Sequence, residues 1–142
     1  MDRAARLEEI CLSHSGLEGP LLPILHAVQA EFGRIDEEAI RGVAHQLNLS
    51  RAEVHGVVSF YHDFRSERDA RPEVQICRAE ACKARGGEAL VAGAREAAGD
   101  RVRLTDVYCL GLCSVGPNAR VGDAMHARLD AEKLRQLIEA AQ

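Results

Sequence analysis

The sequence contains no tryptophan, and its three phenylalanines and two tyrosines leave aromatics at 4% of 142 residues. A core must therefore be aliphatic, built from Leu, Val, Ile and Ala, and at this length it is adequate rather than generous. No apolar run approaches the roughly 20 residues of a membrane-spanning helix. Met1-Asp2-Arg3-Ala4-Ala5-Arg6 holds no apolar signal segment, so the expected compartment is the cytoplasm, where thiols stay reduced. Excess positive charge is also missing: 18 Lys and Arg face 22 Asp and Glu, a net charge of −4, which excludes a general nucleic-acid binder. There is no Cys-x-x-Cys for dithiol exchange and no Cys-x-His for a Rieske centre. Gly86-Gly87 alone is too little for a dinucleotide fingerprint.

Against these absences stand five cysteines. Cys11 is isolated near the start, whereas Cys77/Cys82 and Cys109/Cys113 form two close pairs. In a reducing compartment, two close pairs suggest a metal or cluster site before disulfides.

The pattern divides the chain into two regions. Over 1–66, apolar residues recur at helical spacing. Leu7, Ile10 and Cys11 are followed by Gly16 as a stop. Leu21, Leu25, Val28 and Phe32 mark a second face, with Pro20 and Pro23 at its start and Gly33 at its end. Asp36 caps a third helix, and Ser50 with Glu53 forms a capping box for a fourth, whose stripe is Val54, Val57, Val58 and Tyr61. The polar stretch Arg65–Pro72 reads as a linker. Over 67–142, Val74/Ile76 and Val102/Leu104 alternate as strands. Leu90, Ala94 and Ala97 form a helical stripe closed by Gly99. Residues 119–129 suggest two short strands turning at Gly122-Asp123, and Asp130 caps a last helix bearing Leu134, Leu137 and Ile138. The expected fold class is α/β: an N-terminal four-helix segment followed by a mixed sheet with helices packed on it. Charge respects the same division, since 1–66 carries 6 basic and 10 acidic residues and 67–142 carries 12 of each.

Each cysteine pair follows a predicted strand and opens a loop, EVQIC and then VYC. If the strands are neighbours, their ends bring four sulfurs together. Gly111 and Gly116 let backbone amides approach them closely. Four thiolates can hold zinc, a 2Fe-2S cluster or a 4Fe-4S cluster. Structural zinc sites usually use tighter pairs, and a 2Fe-2S cluster needs two thiolates per iron, which two wider pairs supply. Spacing alone leaves zinc, disulfides and unliganded thiols open.

The motifs go further. Cys77-x4-Cys82, 26 intervening residues and Cys109-x3-Cys113 resemble the ligand pattern of the thioredoxin-like 2Fe-2S ferredoxin family, in particular the small 2Fe-2S subunit of complex I-type NADH dehydrogenases. Gly56-Val57-Val58-Ser59-Phe60-Tyr61-His62-Asp63-Phe64 resembles that family's helical N-terminal part, and Tyr108-Cys109-Leu110-Gly111-Leu112-Cys113 with Gly116-Pro117 its second ligand loop. The first loop departs from the complex I form, which usually has Thr and Pro between the ligands. Cys77-Arg78-Ala79-Glu80-Ala81-Cys82 and Tyr61-His62-Asp63-Phe64-Arg65 look like the gamma subunit of soluble NAD-dependent formate dehydrogenases.

The resemblance implies a thioredoxin-like domain over 67–142 behind a helical domain over 1–66. It also implies one 2Fe-2S cluster on Cys77, Cys82, Cys109 and Cys113, and no complete active site in this chain. The implied role is a one-electron relay in an oxidoreductase complex. The implied partners are an FMN/NAD-binding flavoprotein subunit and a large formate dehydrogenase subunit with a molybdenum or tungsten cofactor. A complex I or NAD-linked hydrogenase subunit is the alternative within this class, and a zinc-stabilised binding module the alternative outside it. Arg78, Lys83 and Arg85 against Glu80 make the first loop basic. That would raise the cluster's potential, unless they are merely solvated charges. Cys11 is expected to be a core thiol, and His14, His26, His45, His55 and His62 to form no metal site. Phe60, Tyr61 and Phe64 are expected to pack, with subunit docking as the other reading.

Overall fold

The computed structural model describes residues 2–142. They form two compact units, Met1–Ala70 and Arg71–Gln142.

The first unit holds α1 (Arg3–Ser13), α2 (Leu21–Phe32), α3 (Glu37–Leu47) and α4 (Arg51–Phe60). Local chemistry sets most of their ends. Asp36 Oδ1 accepts the Ala39 N–H at 3.1 Å, and Ser50 and Glu53 complete a reciprocal capping box. Each satisfies N–H groups that the first helical turn leaves unpaired. Gly33, at φ 74°, closes α2 in the left-handed conformation. α1 differs from expectation and stops at Ser13, before Gly16. There Ser13 Oγ donates to the Ile10 carbonyl at 2.8 Å, and His14 Nδ1 lies 2.8 Å from the same oxygen, so a terminal carbonyl is satisfied without a glycine.

The core of this unit is aliphatic, with Ile24, Leu25, Val28, Ile35, Val43 and Val54 sealed from solvent. Cys11 is buried among them, and burial pushes its thiol above the ordinary range. The α4 stripe is shorter than expected. Val57 and Val58 pack against the core, but the helix ends at Phe60 and Tyr61 turns into extended backbone, which leaves both aromatics exposed. Phe64 is buried, with its ring centroid 4.8 Å from that of His26.

The sequence places the boundary at 66/67, whereas the compact units divide at 70/71. Arg65 is anchored in the helical unit and reaches one of the intervening residues, Asp69. The Arg65 N–H donates to Gln29 Oε1 at 2.7 Å, its carbonyl accepts the Ile35 N–H at 2.6 Å, and its guanidinium donates to the Asp69 carbonyl at 3.4 Å.

The second unit is a four-stranded mixed sheet of order β2-β1-β3-β4, formed by β1 (Glu73–Cys77), β2 (Arg103–Val107), β3 (Ala119–Val121) and β4 (Ala124–His126). β1 pairs parallel with β2, Cys77 opposite Val107, and antiparallel with β3. Gly122, at φ 58°, turns β3 into β4. Of the remaining helices α5 (Glu80–Ala84), α6 (Glu88–Ala98) and α7 (Ala131–Ala140), the last two pack on one another. Val74 and Ile76 join Ala94, Ala98, Val102, Leu134 and Ile138 in a second core. Val102 lies just before β2 rather than in it, yet is equally buried. Neither α5 nor a 3-10 turn at Cys113–Val115 is signalled by the sequence, because neither is long enough to establish a periodicity.

Among the cross-helix ion pairs of the helical unit, the cluster at Glu37 carries a large acid dependence. Arg51 grips Glu37 with Nε at 2.5 Å and Nη2 at 2.8 Å, and Arg41 Nε adds a third bond at 3.0 Å. These donors, Arg51 first, lower the Glu37 carboxyl from 4.5 to about 2. A carboxyl depressed on folding contributes stability above its unfolded value and loses it as pH falls toward its folded value. Thermal melts of wild type and Glu37→Gln should therefore differ in favour of wild type at pH 7. The gap should close between about pH 4.5 and about 2. A gap that persists below pH 2 contradicts this reading.

Candidate metal centre

The parallel pairing of β1 with β2 places two chain exits side by side. Cys77 is the last residue of β1, and Cys109 lies two residues beyond its β1-facing partner Val107. The Arg78 N–H donates to the Val107 carbonyl at 2.7 Å, which extends the pairing past the strand end. The chain then enters α5, which carries Cys82, while the second loop reaches Cys113 at the start of its 3-10 turn.

Two pairs of thiols come within electrostatic range of one another as a result. The Cys77 and Cys82 thiols lie close enough for each to shift the other's ionisation. Cys109 Sγ and Cys113 Sγ stand 3.5 Å apart, and the charge of Cys113 is felt at Cys82. The pairs differ in access: Cys77 and Cys82 are 3% and 1% exposed, whereas Cys109 and Cys113 are open to solvent. Among the described residues, no three or more His, Cys, Asp or Glu side chains surround a point suited to one metal ion. The thiols are grouped in twos.

Backbone amides converge on these sulfurs. Burial opposes ionisation of Cys77, but N–H groups of Ala79, Cys109 and Leu110, with the Cys82 thiol, outweigh it and hold the thiol below its usual range. Cys109 adopts φ 100°, unusual for a residue with a side chain, and in this conformation its N–H and that of Leu110 face Cys77. Gly111, at φ 82°, donates to Cys109 Sγ at 3.3 Å. Cys82 receives the Asn118 N–H, yet burial and the neighbouring Cys77 keep its thiol high. The Cys113 thiol is raised by its bond to Cys109 and by that residue's charge. Such donors lower the cost of gathering negative sulfur in a half-buried site. The donor set suits two irons, each taking two thiolates.

Two features depart from the sequence reading. Arg78 is not a free loop cation. Its guanidinium binds Glu88 through two bonds, at 3.1 and 2.7 Å, and Asp106 at 2.9 Å, so its charge is offset locally. Lys83 likewise lies 3.5 Å from Glu80. Asn118 was missed altogether. Besides donating to Cys82, its carbonyl accepts the Cys77 N–H at 3.1 Å, so one residue's main chain contacts both members of the inner pair. The only hint in the sequence is a polar residue directly after Gly116-Pro117, where a buried strand begins.

Residues 7–142 match the thioredoxin-like 2Fe-2S ferredoxin family. The chain belongs to this family. Membership assigns it a 2Fe-2S cluster, and agrees with the observed helices and mixed sheet. It is 29% identical to the E 2 chain of NADH-quinone oxidoreductase from Rhizobium meliloti (strain 1021), across 99% of this chain and 89% of the relative. It is 27% identical to the HndA chain of the NADP-reducing hydrogenase from Solidesulfovibrio fructosivorans, across 85% of this chain and 76% of that one. Among solved structures it resembles an NAD+-reducing NiFe hydrogenase in the air-oxidized state, with a TM-score of 0.70 and 26% identity. That likeness covers 84% of this chain but 22% of the hydrogenase chain, so this ferredoxin-family chain corresponds to about a fifth of a larger assembly component.

Tight backbone around the thiols gives a paired test. A Cβ on Gly87 would sit 2.8 Å from the Cys82 carbonyl oxygen, so alanine there must displace the backbone of a thiol-bearing residue. A Cβ on Gly93, inside α6, meets nothing within 4 Å. Gly87→Ala should purify with clearly less iron per chain than wild type. Gly93→Ala should keep full iron and gain about 0.5–1 kcal/mol of stability from its better helix propensity. Equal iron in both variants, measured by metal analysis, would show that Gly87 does not shape the site.

Proposed function

We propose that Cys77, Cys82, Cys109 and Cys113 hold the 2Fe-2S cluster and that the chain relays electrons in a soluble NAD-linked dehydrogenase complex, with NAD-dependent formate dehydrogenase as that complex. The observation that carries the reading is the approach of two thiol pairs, one from each loop, under converging backbone N–H groups. When bound, a 2Fe-2S cluster accepts and releases single electrons. The chain's own residues do the rest. The inner pair anchors the group against the sheet, and the amides of Ala79, Cys109, Leu110, Gly111 and Asn118 offset the sulfur charge. The exposed Cys109/Cys113 side, next to the exposed ring of Tyr108, is where an electron exchanges with a partner.

The partner reading rests on resemblance. The relatives named above act with nicotinamide nucleotides by name, which supports a flavoprotein subunit bearing FMN and NAD as the immediate neighbour. The Cys77–Cys82 loop and Tyr61–Arg65 resemble formate dehydrogenase gamma subunits, which supports a large molybdenum or tungsten subunit beyond it. The names of the relatives favour a second reading, a component of NADH-quinone oxidoreductase or of an NAD(P)-linked hydrogenase. Among the described residues no helix is long and apolar enough to cross a membrane, and a cytoplasmic place is part of the same proposal.

Purified wild-type protein should be reddish-brown, with iron and acid-labile sulfide in equal amounts. Cys109→Ser should lose colour and melt at a lower temperature, because ligand bonds contribute folding free energy. A colourless wild type with stoichiometric zinc would overturn the cluster reading. Co-purification with a molybdenum- or tungsten-containing subunit would support formate dehydrogenase, and co-purification with quinone-reductase or hydrogenase subunits instead would overturn that choice.

A further inference from the structure

Asn118 stands apart as the one buried polar residue among those described, at 1% exposure. Burying an amide this completely costs free energy unless its groups are matched. Its main chain is matched on both sides by the inner cysteine pair, through the Cys82 sulfur and the Cys77 N–H. Its side chain reaches the other way. Nδ2 donates at 3.0 Å to the carbonyl of Leu112, the residue directly before Cys113. Oδ1 is buried with no hydrogen-bond partner. An apolar side chain would leave no orphaned oxygen, so burial alone does not favour an amide at this position.

From this geometry we infer that Asn118 is a positioning residue: a side-chain tie that fixes the exposed Cys109/Cys113 loop relative to the buried Cys77/Cys82 pair. This rests on the proposal that the four cysteines hold one cluster. The contact is long-range in effect though short in sequence. It bypasses the 3-10 turn at Cys113–Val115 and joins the start of β3 to the backbone of the second loop. The Leu112 carbonyl also accepts the Val115 N–H at 3.1 Å, so losing Nδ2 would not orphan that oxygen. What would be lost is the link between the two halves of the ligand set. Neighbours that orient ligands in this way typically change metal retention by about 10–100-fold when removed.

The test uses full-length cluster-loaded protein and two substitutions. Asn118→Leu keeps the branched outline and both main-chain contacts but is bulkier, and it removes the amide. Asn118→Asp keeps the shape but loses the Nδ2 donor. Both should release iron to a chelator about 10–100-fold faster than wild type. Both should also show an altered visible circular dichroism spectrum, and the uncharged Asn118→Leu a shifted redox midpoint. A purely structural role would lower the melting temperature while leaving spectrum and midpoint unchanged, and that outcome overturns the inference. So would a change of iron release or spectrum in Asn118→Leu that Asn118→Asp does not share. If Asn118→Leu fails to fold, Asn118→Asp decides, and failure of both to fold would mark Asn118 as a folding residue instead. A wild type without a cluster would sink the cluster proposal itself, whereas a loaded wild type with unaltered variants sinks only the role of Asn118.

Discussion

Five residues of β1 lie in parallel register beside five of β2, with Cys77 opposite Val107. Parallel neighbours send their chains out of the same sheet edge, so the loop after Cys77 and the loop bearing Cys109 emerge together. Everything at the site depends on that pairing. The crossover that parallel pairing requires runs from the end of β1 to the start of β2 and carries α5 and α6. Its residues also supply part of the second core, so the element that brings the thiols together is buried by the element that connects them.

The same geometry makes the site asymmetric. Cys77 ends a central strand and Cys82 is covered by the backbone of Gly87 and Gly116, so the inner pair is sealed. The second loop follows an edge strand and remains open. Sulfur charge in the sealed half must be offset from within the protein, and three backbone N–H groups face Cys77 for that purpose. In the open half, solvent can share this work. A relay needs both conditions: a rigid, water-poor anchor on one side and a short path to a partner on the other.

The legible parts of this protein are those with local or spacing-based causes. The cap at Asp36, the box at Ser50/Glu53, the turn at Gly122 and the two cysteine pairs all declare themselves within a few residues, and the structure contains each of them. What the sequence hides depends on partners far along the chain. Arg78 reads as a basic loop residue until Asp106, 28 positions away, is seen beside it. Tyr61 continues a helical stripe on paper but lies past the last turn. Asn118 is invisible to pattern reading because its importance comes from touching three segments at once. Cys109 has nothing in its sequence neighbourhood that requires φ 100°. Its N–H faces the Cys77 sulfur, and that contact across the sheet edge is what the conformation serves.

Electron paramagnetic resonance of the reduced protein tests the central claim most directly, since a 2Fe-2S pair holding one extra electron carries a single unpaired spin. The account predicts an axial or rhombic signal integrating to one spin per chain, abolished when either close cysteine pair is replaced by serine. A reduced, metal-loaded wild type with no such signal, or a signal that survives loss of Cys109 and Cys113, would contradict it.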